Sequence, residues 1–205
     1  MRVGLIDYGA GNVTSVRNAF EFIDAPPIMV RQSADFDQVT HLVLPGVGSF
    51  PQTMERLRAL ELDEVIRAAV LQDGKPLLGI CVGMQVLADE GHEFQSCPGL
   101  GLIAGQVRRL DVGNTSDRLP HIGWNTVHVL QPSPLLRGLE CPTFYFVHSF
   151  NFEVAESTDC VAACDYACGV TACVQRQHIF GVQFHPEKSQ HDGLQLLRNF
   201  TAWEP

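Results

Sequence analysis

Short apolar runs alternate with stretches of helical spacing through the first hundred residues. Val3 to Ile6 predicts a strand, and Val13, Val16, Ala19, Phe20 and Ile23 then recur on one face of a helix. Pro27 to Val30 predicts a second strand and Leu42-Val43-Leu44 a third. The next helix is expected to carry Met54, Leu57 and Leu60 and then Val65, Ile66, Ala69 and Val70, with Gly74 as punctuation. A fourth strand follows at Pro76-Leu77-Leu78, and a helical pattern restarts at Met84, Val86, Leu87 and Ala88. Near-continuous apolar strands between amphipathic helices predict a parallel sheet covered on both faces. Ligands in such sheets sit at the carboxyl ends of the strands. Glycine loops at residues 9–11, 46–48 and 79–83 all fall at that edge.

After Gly99 the texture changes. Val107 to Leu110, Thr126 to Leu130, Thr143 to Phe150 and Cys160 to Ala163 read as short strands separated by Gly, Pro and Asn. Val170 to Gln175 and Phe180 to Phe184 predict a hairpin around Arg176-Gln177-His178, and Leu194, Leu197 and Phe200 a closing helix. The expected class is α/β, with a central, mainly parallel sheet flanked by helices and mixed or antiparallel strands in the second half. With 205 residues and neither repeat, linker nor low-complexity stretch, residues 1–205 are expected to form one domain.

Charge and cysteine usage narrow the setting. A formal net charge of −9 argues against nucleic acid or an anionic membrane as the main partner. The opening Met1-Arg2-Val3-Gly4-Leu5-Ile6-Asp7 does not read as a signal peptide, and no apolar run reaches transmembrane length. The odd count of seven cysteines without a secretory signal points to free thiols in a reducing, cytoplasmic interior. Cys160, Cys164 and Cys168 recur at every fourth position, with Cys173 beyond. Zinc sites favour well-separated Cys pairs, so these are expected to be structural, with no metal. Gly9 and Gly11 hint at a dinucleotide loop, but Thr14 stands where its third glycine belongs. Asp89-Glu90-Gly91-His92-Glu93 is expected to be a solvated helix end.

The stretch with the most chemical content is Gly79-Ile80-Cys81-Val82-Gly83-Met84-Gln85. A strand that turns sharply into a helix, with a nucleophile at the corner, needs small residues on either side because the turn is strained. The corner sets the Cys81 sulfur near the free N–H groups of the helix start, which favour a thiolate. The alternative is a buried structural cysteine. A cysteine nucleophile needs a base. Among eight histidines, His185 lies at the end of the run Gly181-Val182-Gln183-Phe184 and before Pro186. Glu187, two residues on, falls on the same side of an extended segment and can hold the imidazole in its working tautomer. A surface His-Pro-Glu turn is the competing reading, and His148 the rival base. The order nucleophile, histidine, acid differs from that of α/β-hydrolases.

The elbow and His185-Pro186-Glu187 together resemble the class I (triad) glutamine amidotransferases, over essentially the whole chain. Four further stretches narrow the resemblance to the branch that supplies ammonia for an imidazole ring in histidine biosynthesis. They are Asp7-Tyr8-Gly9-Ala10-Gly11-Asn12, Pro45-Gly46-Val47-Gly48-Ser49-Phe50, Pro120-His121-Ile122-Gly123-Trp124-Asn125 and Tyr145-Phe146-Val147-His148-Ser149-Phe150. The resemblance implies a flavodoxin-like amidotransferase fold that needs no cofactor. Cys81 attacks the side-chain amide of glutamine, His185 moves the proton and Glu187 orients it. Val82 N–H and the Val47-Gly48 peptide hold the oxyanion. Gly46, Gln85 and the backbone at His148, Ser149 and Phe150 hold the amino-acid end of the substrate. Ammonia passes to a separate (β/α)₈ cyclase subunit in a heterodimer. Asn12, Trp124, Tyr145 and Lys188 are where family members meet that partner, Tyr145 near the tunnel entrance and Lys188 at the gate. An amidotransferase serving another acceptor, the glutaminase of vitamin B6 synthesis, and a catalytically silent regulatory subunit are the competing functions. The Pro-Gly-Val-Gly loop and the Gly-Trp-Asn segment argue against the first two, and the complete triad against the third.

Overall fold

The apolar runs become the strands that carry the site. The computed structural model describes residues 1–9, 12–113 and 115–204. Ala10 and Gly11, the centre of the first glycine loop, lie outside the described residues. The first half holds β1 (Val3–Ile6), α1 (Val13–Phe22), β2 (Ile28–Val30), β3 (His41–Gly46), α2 (Phe50–Ala59), α3 (Leu62–Leu71), β4 (Leu77–Cys81) and α4 (Val82–Gln85). The second holds β5 (Glu90–Gly91), β6 (Cys97–Pro98), β7 (Gly105–Arg109), β8 (His121–Val129), β9 (Thr143–His148), β10 (Phe150–Val154), β11 (Cys160–Cys164), β12 (Val170–Arg176), β13 (Ile179–Val182) and α5 (Gln190–Thr201).

A nine-stranded sheet runs in the order β2-β1-β3-β4-β13-β12-β11-β8-β9. From β2 to β13 every pairing is parallel, and from β13 to β9 every pairing is antiparallel. The strands β1, β3, β4 and β13 are buried along their whole length, as parallel strands covered on both faces must be. The edge strand β9 instead alternates, with Phe144, Phe146 and His148 inward. A second sheet, β10-β7-β5-β6, has four strands. Among the described residues no helix is long and apolar enough to cross a membrane.

Several sequence expectations need correcting. The single helix expected over Met54 to Val70 is two, because the chain turns at Glu61 with φ 54°. Leu60, expected on the buried face, is exposed, and Leu62 is buried in its place. The helix after the elbow is one turn long. Leu87 and Ala88 are still buried, but their carbonyls accept from Leu102, Ile103 and Gly101 instead of continuing a helix. Asp89 to Glu93 is no solvated helix end. Glu90 and Gly91 form β5, and Asp89 accepts a hydrogen bond from Gly105 N–H at 3.0 Å. The run Thr143 to Phe150 divides at Ser149 into strands of different sheets, β9 and β10. His148, Ser149 and Phe150 therefore stand where the chain passes from one sheet to the other.

Candidate active site

The registers Gly46 with Cys81 and Val182 with Ile80 bring the ends of β3, β4 and β13 together. Cys81 sits at the corner with φ 56° and ψ −113°, a conformation that costs about 1–3 kcal/mol for a residue with a side chain. Close packing holds it there. A Cβ on Gly79 would lie 2.5 Å from the Gly83 carbonyl oxygen, and one on Gly83 only 1.9 Å from that of Leu44. The N–H groups at the start of α4, Val82 first, have no partner within the helix.

The base arrives from β13. Beyond its end, His185 is extended (φ −103°, ψ 94°) and caps a 3₁₀ turn over Pro186–Lys188. That turn, rather than a continuing extended segment, brings Glu187 Oε1 to 2.7 Å from His185 Nδ1. The edge strand fixes this backbone, since His185 N–H donates to the Tyr145 carbonyl at 2.9 Å. Ser189 Oγ donates to the His185 carbonyl at 2.6 Å and accepts from Tyr145 N–H at 3.0 Å. Both side chains of the pair are buried, His185 at 1% and Glu187 at 0% exposure. Burial by itself lowers the His185 pKa. Hydrogen bonds and charge from Cys81 and Glu187 outweigh burial, and the pKa is pushed up to about 9. His185 is therefore an imidazolium at neutral pH, held between sulfur and carboxylate.

A cavity of about 410 Å³ opens in front of Cys81. Val47 and Gly48 form one wall, and His148, Ser149 and Phe150 another. Gln85 Nε2 donates to the Phe150 carbonyl at 3.3 Å and to Gln183 Oε1 at 2.9 Å. Gln183 Nε2 in turn lies 3.8 Å from Cys81 Sγ. Glu93 also lines the cavity, and its Oε2 accepts Phe50 N–H at 2.8 Å. Desolvation raises the Glu93 pKa. Burial drives His148 down to about 4, so it is neutral and unsuited as the base. Among the described residues no group of three His, Cys, Asp or Glu side chains is placed to hold a metal ion. The arrangement suits acyl transfer through a thioester.

The profile of class-I glutamine amidotransferases matches residues 4–203. The chain belongs to the class-I glutamine amidotransferase family. It is 42% identical to imidazole glycerol phosphate synthase subunit HisH 2 of Nitrobacter winogradskyi, over 100% of this chain and 99% of that one. Subunit HisH of Geobacillus thermodenitrificans is 45% identical over 98% of this chain and 95% of its own. Among solved structures, a crystal structure of a glutamine amidotransferase superposes with a TM-score of 0.76 at 21% identity, over 98% and 97% of the two chains. PurLQS from Thermotoga maritima gives the same TM-score, 0.76, at 18% identity, over 98% and 97%. These likenesses place the fold.

Within this amidotransferase fold, Cys81, His185 and Glu187 come together as expected, and Val82, Val47, Gly48, Gln85, His148, Ser149 and Phe150 line the cavity beside them. Gly46 does not line it. Paired with Cys81, it packs on the elbow, where a Cβ would sit 2.5 Å from Gly83 N. Asn12, expected at a partner surface, donates its side-chain amide to Glu187 Oε1 and so holds the triad acid. Trp124, Tyr145 and Lys188 do gather on one edge. Trp124 faces Tyr145 across β8 and β9 with rings 6.1 Å apart, and Lys188 Nζ lies 5.7 Å from the Tyr145 ring centre. Three contributors escaped the sequence. Tyr8, whose hydroxyl donates to the Pro45 carbonyl at 2.9 Å, braces the end of β3 at Gly46. Gln183 left one signal, a polar residue inside an apolar strand run. Glu93 was hidden by its helix-end appearance.

Proposed function

We propose that this chain is the glutaminase subunit of an imidazole glycerol phosphate synthase, a single amidotransferase domain over residues 1–205. The observation that carries the proposal is the buried Cys81–His185–Glu187 constellation facing a cavity of about 410 Å³, a size suited to one amino acid. Full-length likeness to HisH subunits supports the choice of synthase. Glutamine lies with its carboxamide at Cys81 and its α-ammonium toward the Glu93 carboxylate. Gln85 and the backbone at His148, Ser149 and Phe150 complete the amino-acid end. Cys81 Sγ adds to the amide carbon, and Val82 N–H with the Val47–Gly48 peptide takes the oxyanion, each such donor being worth roughly 3 kcal/mol. The His185 imidazolium gives its proton to the leaving nitrogen, the C–N bond breaks, and ammonia departs from a glutamyl thioester. Neutral His185 then takes a proton from water, whose oxygen displaces the sulfur to give glutamate and the starting imidazolium. Glu187 stabilises the imidazolium wherever it stands in the two halves and holds the ring in place when it is neutral.

Ammonia passes past Tyr145 and Lys188 into a separate (β/α)₈ cyclase subunit, which docks on the edge that bears Trp124. There it completes imidazole glycerol phosphate and releases AICAR on the way to L-histidine. The setting is cytoplasmic, where the seven cysteines remain the free thiols that they are in this structure. Docking of the cyclase sets the Val47–Gly48 loop. Glutamine hydrolysis should therefore rise when cyclase and its ligand are added, and an isolated chain already at full activity would refute that coupling. A Cys81→Ala chain with cyclase should lose glutamine-dependent synthesis and retain synthesis from free ammonia. Persistence of the glutamine-dependent reaction would refute the assignment.

A further inference from the structure

His148 in the cavity wall is paired with a second buried histidine behind it, and the proposed chemistry uses neither imidazole ring. His121 opens β8 and His148 closes β9, and the two are directly paired across the strands. His121 is 2% exposed and His148 6%. The imidazole of His121 is clamped between two rings, Tyr166 at 3.8 Å and Phe146 at 4.7 Å, both within 20° of parallel. Its Nδ1 lies 2.9 Å from Nε2 of His148, and Nδ1 of His148 lies 2.9 Å from the Phe150 carbonyl oxygen.

The acceptors fix where the protons are. A carbonyl oxygen only accepts, so Nδ1 of His148 carries a proton. Burial lowers both imidazoles to about 4, which leaves each with one proton at neutral pH. Nε2 of His148 is then a bare acceptor, and the proton between the rings belongs to Nδ1 of His121. The chain of donors therefore has one direction, from His121 to His148 to the Phe150 carbonyl, to which Gln85 Nε2 also donates. Gln85 continues through Gln183 to Cys81.

We propose that His121 is a positioning residue for glutamine: by donating to His148 it fixes the tautomer and ring plane of His148. It thereby sets the Phe150 carbonyl and the Ser149 backbone that form the wall of the substrate cavity. This rests on the reading of that cavity as the glutamine site. His121 itself touches neither the cavity nor the sulfur. Its Pro120 neighbour and its His148 partner are the residues that do line the cavity.

Two substitutions separate this role from plain core packing. His121→Phe keeps a ring between Phe146 and Tyr166 but has no donor, so Nε2 of His148 is left buried and unpaired. His121→Asn gives up the ring yet places an amide donor near the position of Nδ1. In the glutaminase assay with cyclase present, His121→Phe should raise KM for glutamine roughly tenfold, the worth of one neutral hydrogen bond, with kcat within about threefold of the parent. His121→Asn should bring KM back to within about threefold of the parent. A His121→Phe chain with the parent KM, or a His121→Asn chain no better than it, overturns the proposal. Nitrogen NMR of the ¹⁵N-histidine-labelled parent reads the same point without turnover. Both rings should be neutral with the proton on Nδ1, and a proton on Nε2 of His148 overturns the proposal even if either variant fails to fold. If the parent does not hydrolyse glutamine, the functional reading falls, while the tautomer measurement still decides the relay.

Discussion

Replacing Glu187 by Gln tests the electrostatics of the triad with little change of shape. Glu187 Oε1 accepts from both His185 Nδ1 and Asn12, while Oε2 has no hydrogen-bond partner among the described residues. A Gln with its amide oxygen at the Oε1 position keeps both bonds, so what is lost is the charge. The rise of the His185 pKa from an ordinary 6.5 to about 9 corresponds to roughly 3 kcal/mol of preference for the imidazolium. Cys81 and Glu187 supply it against burial. Losing a carboxylate in contact moves such a midpoint down by about one to three pH units. With a midpoint near 7, the protonated fraction at pH 8 falls from about nine-tenths to about one-tenth. The rate of ammonia release should therefore fall roughly tenfold at pH 8, much less at pH 6.5, with the alkaline limb of kcat/KM displaced to lower pH. Stability carries the same signature. Because folding raises this pKa, the contribution is complete below pH 6.5 and is lost as pH rises through about 9. Urea unfolding of the parent should show that loss, and Glu187→Gln should flatten it. An alkaline limb that stays in place, or a pH–stability curve that Glu187→Gln leaves unaltered, would refute the reasoning.

Two other substitutions probe the elbow and the substrate end. Gly83→Ala drives a Cβ to 1.9 Å from the Leu44 carbonyl oxygen, against backbone that cannot yield cheaply, and should cost about 3 kcal/mol or more in urea unfolding. A drop of less than about 1 kcal/mol would mean that the approach of β3 to α4 is looser than described. Glu93→Gln keeps an oxygen for Phe50 N–H but removes the charge opposite the α-ammonium, so KM for glutamine should rise roughly ten- to hundredfold with kcat little altered.

The parallel half of the fold was legible because its strands carry unbroken apolar runs and its helices a single apolar stripe. Errors came where one apolar residue fitted two phases. Leu60 extends the stripe of Met54 and Leu57 on paper, yet Glu61 in a left-handed conformation resets the phase, and Leu62 is buried instead. The stretch after Cys81 reads as a helix running on from Met84 through Val86, Leu87 and Ala88 because these residues are apolar, and the last three are indeed buried. They are buried for another reason, since backbone N–H groups of Leu100 to Ile103 cover their carbonyls. A pairing made from residues that far along the chain leaves no periodicity to read.

The site divides along the same line. Cys81 and His185 announce themselves because their chemistry is bound to local geometry, the elbow in one case and the strand end in the other. Residues that act through a neighbour on a different element do not. Asn12 reads as a loop residue until β13 and the turn after it bring Glu187 against its amide. Gln183 and Gln85 are 98 residues apart and meet only in the fold, where Gln85 Nε2 satisfies the buried amide oxygen of Gln183. Glu93 is the sharpest case. Its run of charge looks solvated, but β5 joins the second sheet and carries the carboxylate to the N–H of Phe50 at the start of α2. A carboxylate held there, partly desolvated and on the wall of the sulfur's cavity, is a place for a cationic group of a ligand. In the proposed function the α-ammonium of glutamine supplies that cation while its side chain reaches Cys81.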